Sequence, residues 1–154
     1  SPADAPFKLE SLHAFHIHSI EQPIRAGQWK EMATLCQQSP FPIALDEELI
    51  GINTIARKIE LLETIRPQYI ILKPSLHGGI QERGIGSWVT SALESNIGLN
   101  AIAQWCATLS PDIPQGLGTG MLFTDNIDYP LHIQGDCLWF HPEEKEPDFN
   151  KFLL

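Results

Sequence analysis

A chain of 154 residues with 43% hydrophobic residues carries enough apolar material for one packed core and excludes a disordered chain. Its 19 acidic residues against 10 basic ones leave a formal net charge of −9, which excludes a broad cationic surface for nucleic acid or anionic lipid. Apolar runs such as Tyr69–Leu72 fall far below the roughly 18 residues of a bilayer-spanning helix, so neither a nucleic-acid nor a membrane partner is expected.

In chain order, Phe15–Ile20, Phe41–Leu45, Tyr69–Leu72 and Trp88–Leu93 read as strands. Between them Gln28–Gln37 and Asn53–Ile65 read as helices, the second placing Ile55, Ile59, Leu62 and Ile65 on one face. A third helix, Asn96–Leu109, has Ile97, Ala101, Ile102 and Trp105 as its apolar stripe. Strand and helix in alternation define an α/β fold with a parallel sheet.

Polar residues end the strands at nearly regular intervals. Glu21 and Asp46 lie 25 residues apart, Asp46 and Lys73 lie 27 apart, and Thr90 and Gly116 lie 26 apart. Each interval suits one strand–loop–helix–loop unit. Lys73 and Thr90 are only 17 apart, too few for a comfortable crossover between parallel strands, which predicts that a helical segment of about ten residues is missing near Ile80–Gln81.

The carboxyl ends of parallel strands are where such folds place their chemistry. Two carboxylates and a lysine, one per strand end, can hold a hard divalent cation beside a fixed ammonium. The plainer readings stand beside this one. A carboxylate after a strand also serves as a helix cap, Asp46 with Glu47 and Glu48 also favours a helix start, and Lys73 also fits a structural salt bridge. His13, His16 and His18 superficially resemble a metal cluster, but strand alternation puts His16 and His18 on one face, where local partners would satisfy them. His77, beside Gly78 and Gly79, lies nearer the expected active face. The glycines of "QGLGTG", Gly116, Gly118 and Gly120, suit tight turns or backbone contact with an anion, yet they lack the Lys-Ser or Lys-Thr of a phosphate loop. Cys36, Cys106 and Cys137 are an odd, scattered set, read as reduced core residues of a cytoplasmic protein.

In this order the strings "SIEQPI", "PIALDEEL", "ILKPSLHGG", "TSALESNIGL" and "PQGLGTG" resemble the barrel domain of the enolase superfamily, in its muconate-cycloisomerase-like subgroup. The resemblance runs from about Phe15 to Pro130. It implies a partial (β/α) TIM-type barrel, roughly strands four to eight, over residues 1–130, and a tail over 131–154 in which Leu131, Ile133, Leu138 and Trp139 belong to one strand returning towards a capping domain, its exposed apolar surface in need of a partner. It also implies removal of a proton next to a carboxylate, with the resulting enediolate stabilised by Mg²⁺. Glu21 and Asp46 match the second and third metal ligands and Lys73 the catalytic lysine of the sixth strand. Thr90, Ser91, Gly116 and Gly118 match positions that hold a small-molecule carboxylate substrate. The subgroup's K-x-K base and its Asp-x-Asn first ligand have no counterpart here, and neither does the capping domain. The chain begins Ser1-Pro2, and the expectation is that an amino-terminal half precedes it, without which it is inactive. Within the subgroup the nearest likeness is to a dehydratase that aromatises a cyclohexadiene ring. An amino-acid racemase or dipeptide epimerase is the alternative, although Gly116-Leu117-Gly118 lacks the acidic pair such enzymes use. A non-catalytic half-barrel binding module is the alternative of another class.

Overall fold

A computed structural model describes residues 1–77, 84–128 and 130–143. By internal contact the chain forms two compact units, Ser1–Trp88 and Val89–Leu154.

The first unit is built on a parallel sheet. Its strands are β1 (Ile20–Glu21), β2 (Ile43–Leu45) and β3 (Tyr69–Leu72), with β4 (Gly86–Val89) fourth in the order β1-β2-β3-β4. β1 pairs parallel to β2 and β2 parallel to β3. Ile43, Ala44 and Leu45 are fully buried, and so in effect are Ile70, Ile71 and Leu72. Burial on both faces explains why these strands read as continuous apolar runs rather than alternating ones.

Helix α1 (Ala5–Ser11) buries Ala5 and Leu9. Helices α2 (Trp29–Gln38) and α3 (Ile55–Ile65) pack against each other. The Arg57 guanidinium lies 4.1 Å over the Trp29 ring, a cation–π contact between them. Thr54 caps α3 by accepting from the Arg57 N–H at 3.3 Å, and Arg66 ends it in the left-handed region at φ +55°. Gln68 ties the layers: its Oε1 accepts from the Ile43 N–H at 2.9 Å, and its Nε2 donates to the Cys36 carbonyl at 3.1 Å. One short helical turn, α4 (Pro74–His77), follows β3 directly.

Several expected elements move. Of Phe15–Ile20 only Ile20 is strand: His13–Phe15 is a 3-10 turn, His16 sits at φ +50°, and the ladder begins where the Ile20 N–H meets the Pro42 carbonyl. The alternation argument for His16 and His18 therefore falls. His18 Nδ1 lies 3.0 Å from Ser19 Oγ and its ring packs 5.1 Å from that of Tyr69. The buried face of α3 is Leu61 and Ile65, whereas Ile55 is 77% exposed because it opens the first turn, beyond the packed stretch. The missing segment expected at Ile80–Gln81 lies outside the described residues.

In the second unit, α5 (Asn96–Thr108) buries Leu99, Asn100, Ile102 and Cys106, one position round from the expected stripe. Strand β4 stops at Val89, short of the expected Leu93, and Thr90 forms a single parallel bridge to Gly116. The Gly116 N–H donates to the Val89 carbonyl at 2.8 Å, and the Gln115 side chain accepts from the Val89 N–H at 2.7 Å. A Cβ on Gly116 would come within 2.5 Å of Thr90 Cγ2, so this close approach requires glycine. The tail is a hairpin rather than one strand: β5 (Leu131–Gln134) and β6 (Cys137–Phe140) pair antiparallel across a two-residue loop whose Gly135 has φ +66°. Ile133 and Trp139 are about half exposed on it.

Candidate active site

Register brings three strand ends to one face. Glu21 pairs with Ala44 and Ala44 with Tyr69. Side chains alternate with period two, so Glu21, Asp46 (two beyond Ala44) and Lys73 (four beyond Tyr69) all project to the same side of the sheet. Lys73 Nζ is ion-paired with Asp46 Oδ2. The Asp46 side chain is 2% exposed and that of Lys73 is 18% exposed.

Asp46 Oδ1 is buried with no hydrogen-bond partner among the described residues. Partial burial, and then the neighbouring Asp46 carboxyl, push the Glu21 carboxyl above its usual range, against the pull of the Lys73 ammonium. Two acceptor groups that face each other need a proton or a cation between them. A buried carboxylate oxygen with nothing to accept from, beside a second carboxylate, is the donor set a hard divalent cation takes. The residues thus fit such an ion in part. No group of three or more His, Cys, Asp and Glu side chains that could hold a metal ion occurs among the described residues.

Two further residues surround this pair: Gln22, which the sequence did not single out, and Glu48, expected only as part of a helix start. Gln22, at φ +38°, turns the loop after β1 so that its side chain reaches the loop after β2. Its Oε1 accepts from the N–H groups of Asp46 at 3.1 Å and Glu48 at 3.3 Å. Its Nε2 donates to the Ile24 carbonyl at 3.0 Å and to Glu48 Oε2 at 3.1 Å. A carboxamide has two acceptor positions and two donor hydrogens, and all four are used. Glu48 is 3% exposed and its Oε1 accepts from the Gly27 N–H at 2.7 Å. The acidic run after Asp46 does start a 3-10 turn, Glu47–Leu49, but Glu48 is a buried tie between loops rather than a solvated helix-start charge.

The remaining expected residues lie in the second unit. Thr90 Oγ1 is buried with no hydrogen-bond partner among the described residues. Ser91 is buried, and its hydroxyl lies 2.5 Å from that of Thr119, a residue the sequence reading did not single out. Gly116 bridges Thr90, while Gly118 opens a 3-10 turn, Gly118–Met121, with open space where a Cβ would go. A cleft of about 450 Å³ in this unit, between Asn96, Gly120, Ile127 and the hairpin, is lined by none of Thr90, Ser91, Gly116 and Gly118. The His77 side chain, Gly78 and Gly79 lie outside the described residues. No helix among the described residues is long and apolar enough to cross a membrane.

The fold has many counterparts. The muconate lactonizing enzyme from Pseudomonas putida superposes with a TM-score of 0.77 at 23% identity, over 90% of this chain and 41% of that one. A protein from Enterococcus faecalis described as an unknown member of the enolase superfamily superposes at 0.73 and 24% identity. No family model matches the sequence. The described residues thus share the fold of these two proteins.

Sequence narrows this further. The chain is 58% identical over 148 residues to the o-succinylbenzoate synthase of Desulfotalea psychrophila, across 90% of this chain and 40% of that protein. The crystal structure of MenC from the same organism superposes at a TM-score of 0.84 with 57% identity, over 90% of this chain and 41% of that one. The o-succinylbenzoate synthase of Edwardsiella ictaluri is 36% identical over 63 residues, 34% of this chain and 20% of the other. This chain is a relative of o-succinylbenzoate synthase, and it spans 40% or less of the curated relatives it matches.

Proposed function

We propose that this chain is the carboxyl-terminal part of the (β/α) barrel of an o-succinylbenzoate synthase, roughly strands four to eight over residues 1–130, with 131–154 as a tail that meets a capping domain. The whole enzyme would be a cytoplasmic lyase of menaquinone biosynthesis. It would dehydrate 2-succinyl-6-hydroxy-2,4-cyclohexadiene-1-carboxylate to o-succinylbenzoate. The observation that carries the reading is the convergence of Glu21, Asp46 and Lys73 from three successive parallel strand ends. The likeness to the Desulfotalea psychrophila enzyme across 90% of the chain supports it.

In this reading a proton leaves the ring carbon that bears the carboxylate, the hydroxyl departs as water, and the ring becomes aromatic. Glu21 and Asp46 would hold Mg²⁺, whose positive charge, when bound, favours the negative charge that develops on the substrate carboxylate as the proton leaves. A third ligand and the K-x-K base would come from the amino-terminal half of the enzyme, which acts as partner. Lys73, set in place by Asp46, would present its ammonium to the anionic ring and stabilise it electrostatically. Thr90 and Ser91, with the backbone at Gly116 and Gly118, would hold the succinyl carboxylate. The buried Thr90 hydroxyl without a partner is the group such a ligand would satisfy.

The test is to supply the amino-terminal half together with Mg²⁺ and to follow aromatisation by ultraviolet absorbance. Conversion is expected with both parts and none with this chain alone. Glu21→Gln and Lys73→Ala are each expected to lower the rate at least a hundredfold. Full rate in both variants would overturn the site assignment, and turnover by the chain alone would overturn the account of the base.

A further inference from the structure

The hydrogen-bond pattern between the loops after β1 and β2 singles out two residues beside the Glu21–Asp46 pair. We propose that Gln22 and Glu48 are positioning residues, which fix the Asp46 carboxylate opposite Glu21 so that the pair can share one divalent cation. The inference rests on the metal-site reading above and deepens it.

Glu21 and Asp46 sit on different strands, and neither strand end by itself sets their separation. Gln22 does. Its N–H continues the β1–β2 ladder by donating to the Ala44 carbonyl at 2.9 Å, so its backbone is locked to the strand that carries Asp46. Its side chain then crosses to hold the Asp46 N–H itself, together with that of Glu48. The orientation of the carboxamide is not free. Reversing it would set its NH₂ against two N–H donors and its oxygen against the Glu48 carboxylate. Glu48 in turn holds the far end of the β1 loop through the Gly27 N–H. Every hydrogen bond of this clamp joins the stretch 22–27 to the stretch 46–48 or closes the first stretch on itself.

The arrangement also explains the residue types. Glutamate at position 22 would keep the contacts to the two N–H groups but would lose the donor to the Ile24 carbonyl and face Glu48 with a second negative charge. Exchanging the two residues, Gln22→Glu with Glu48→Gln, restores a donor–acceptor pair between them and keeps the net charge.

Mn²⁺ alone serves as the probe, titrated into this chain together with the amino-terminal half that would supply the third ligand, and followed by paramagnetic broadening of the amide signals of residues 21–22 and 46–48. Thermal melting is recorded on every variant. Gln22→Glu and the apolar Gln22→Met are each expected to weaken Mn²⁺ binding at least fivefold. The exchanged double variant is expected to return to within about twofold of the wild type. If the variants melt lower but bind Mn²⁺ as the wild type does, or if the exchange restores nothing, the positioning role is overturned while the metal reading stands. If the wild type shows no localised broadening, or Asp46→Asn leaves it unchanged, the metal reading fails and takes this inference with it. Should Gln22→Glu not fold, Gln22→Met and the exchanged pair decide the question.

Discussion

Lys73 Nζ and Asp46 Oδ2 form an ion pair across the ends of β3 and β2, and the two partners are unequally buried. The inequality predicts an asymmetry. Lys73→Met leaves a carboxylate that is 2% exposed without its cation and should cost about 3 kcal/mol. Asp46→Asn leaves an ammonium that is 18% exposed and can turn towards water, at a cost nearer 1 kcal/mol. The double variant should lose less than the sum of the two. Urea denaturation of the three variants checks this, and equal costs for the two single variants would refute it.

The second unit has its own tight point. Gly116→Ala places a methyl within 2.5 Å of Thr90 Cγ2, and that atom is on a β-branched side chain that cannot swing away cheaply. The substitution should cost about 1–3 kcal/mol, the range for overpacking a close contact. Thr90→Ser removes Cγ2 and retains the hydroxyl. In that background Gly116→Ala should cost less than half as much, measured by the same denaturation. If the cost does not change with the residue at position 90, the clash is not what requires glycine.

Glu21, Asp46 and Lys73 were legible in the sequence because each follows an apolar run, and the period-two geometry of strands turns that order into a shared face. β3 was legible to the residue because Tyr69–Leu72 is a buried run that a loop and Pro74 delimit. Gln22 and Glu48 were not. Apart from Ile24, their partners lie more than 20 residues away, and nothing in a linear pattern says which buried donor an amide will meet. Periodicity also misplaced the first strand, since the aromatic and β-branched content of Phe15–Ile20 carries no information about whether a neighbour is there to pair with it. The hairpin at 131–140 did leave a signal, Gly135-Asp136 between two apolar runs, which a reading of the tail as one strand overlooks.

Thr54 gives a local test of the first unit. Its hydroxyl accepts from the Arg57 N–H and satisfies one of the otherwise unpaired donors at the start of α3. Thr54→Ala should lower stability by about 1 kcal/mol, and Thr54→Ser should recover most of it. If alanine and serine behave alike, the cap contributes nothing and α3 depends on packing alone.

The three cysteines should separate by reactivity and by pH. Cys36 and Cys106 are buried as expected, whereas Cys137, expected in the core, is exposed on the hairpin. Burial pushes the Cys36 thiol up to about 11 and raises that of Cys106, while the Asp136 carboxylate beside Cys137 raises that one. The thiolate is the reactive form, so a thiol reagent at pH 8 should modify Cys137 first and all three only in denaturant. Asp136→Asn should speed the Cys137 reaction by removing the neighbouring negative charge. The Cys36 shift also bears on stability. Its folded value lies above the ordinary 9.0, so the protonated thiol favours the folded chain. That contribution is fully present below about pH 9 and is lost as pH rises to about 11. The stability difference between the wild type and Cys36→Ala should therefore shrink by about 2 kcal/mol across that window. A difference that stays constant from pH 8 to about 11 would show that Cys36 ionises in the folded chain as readily as in the unfolded one.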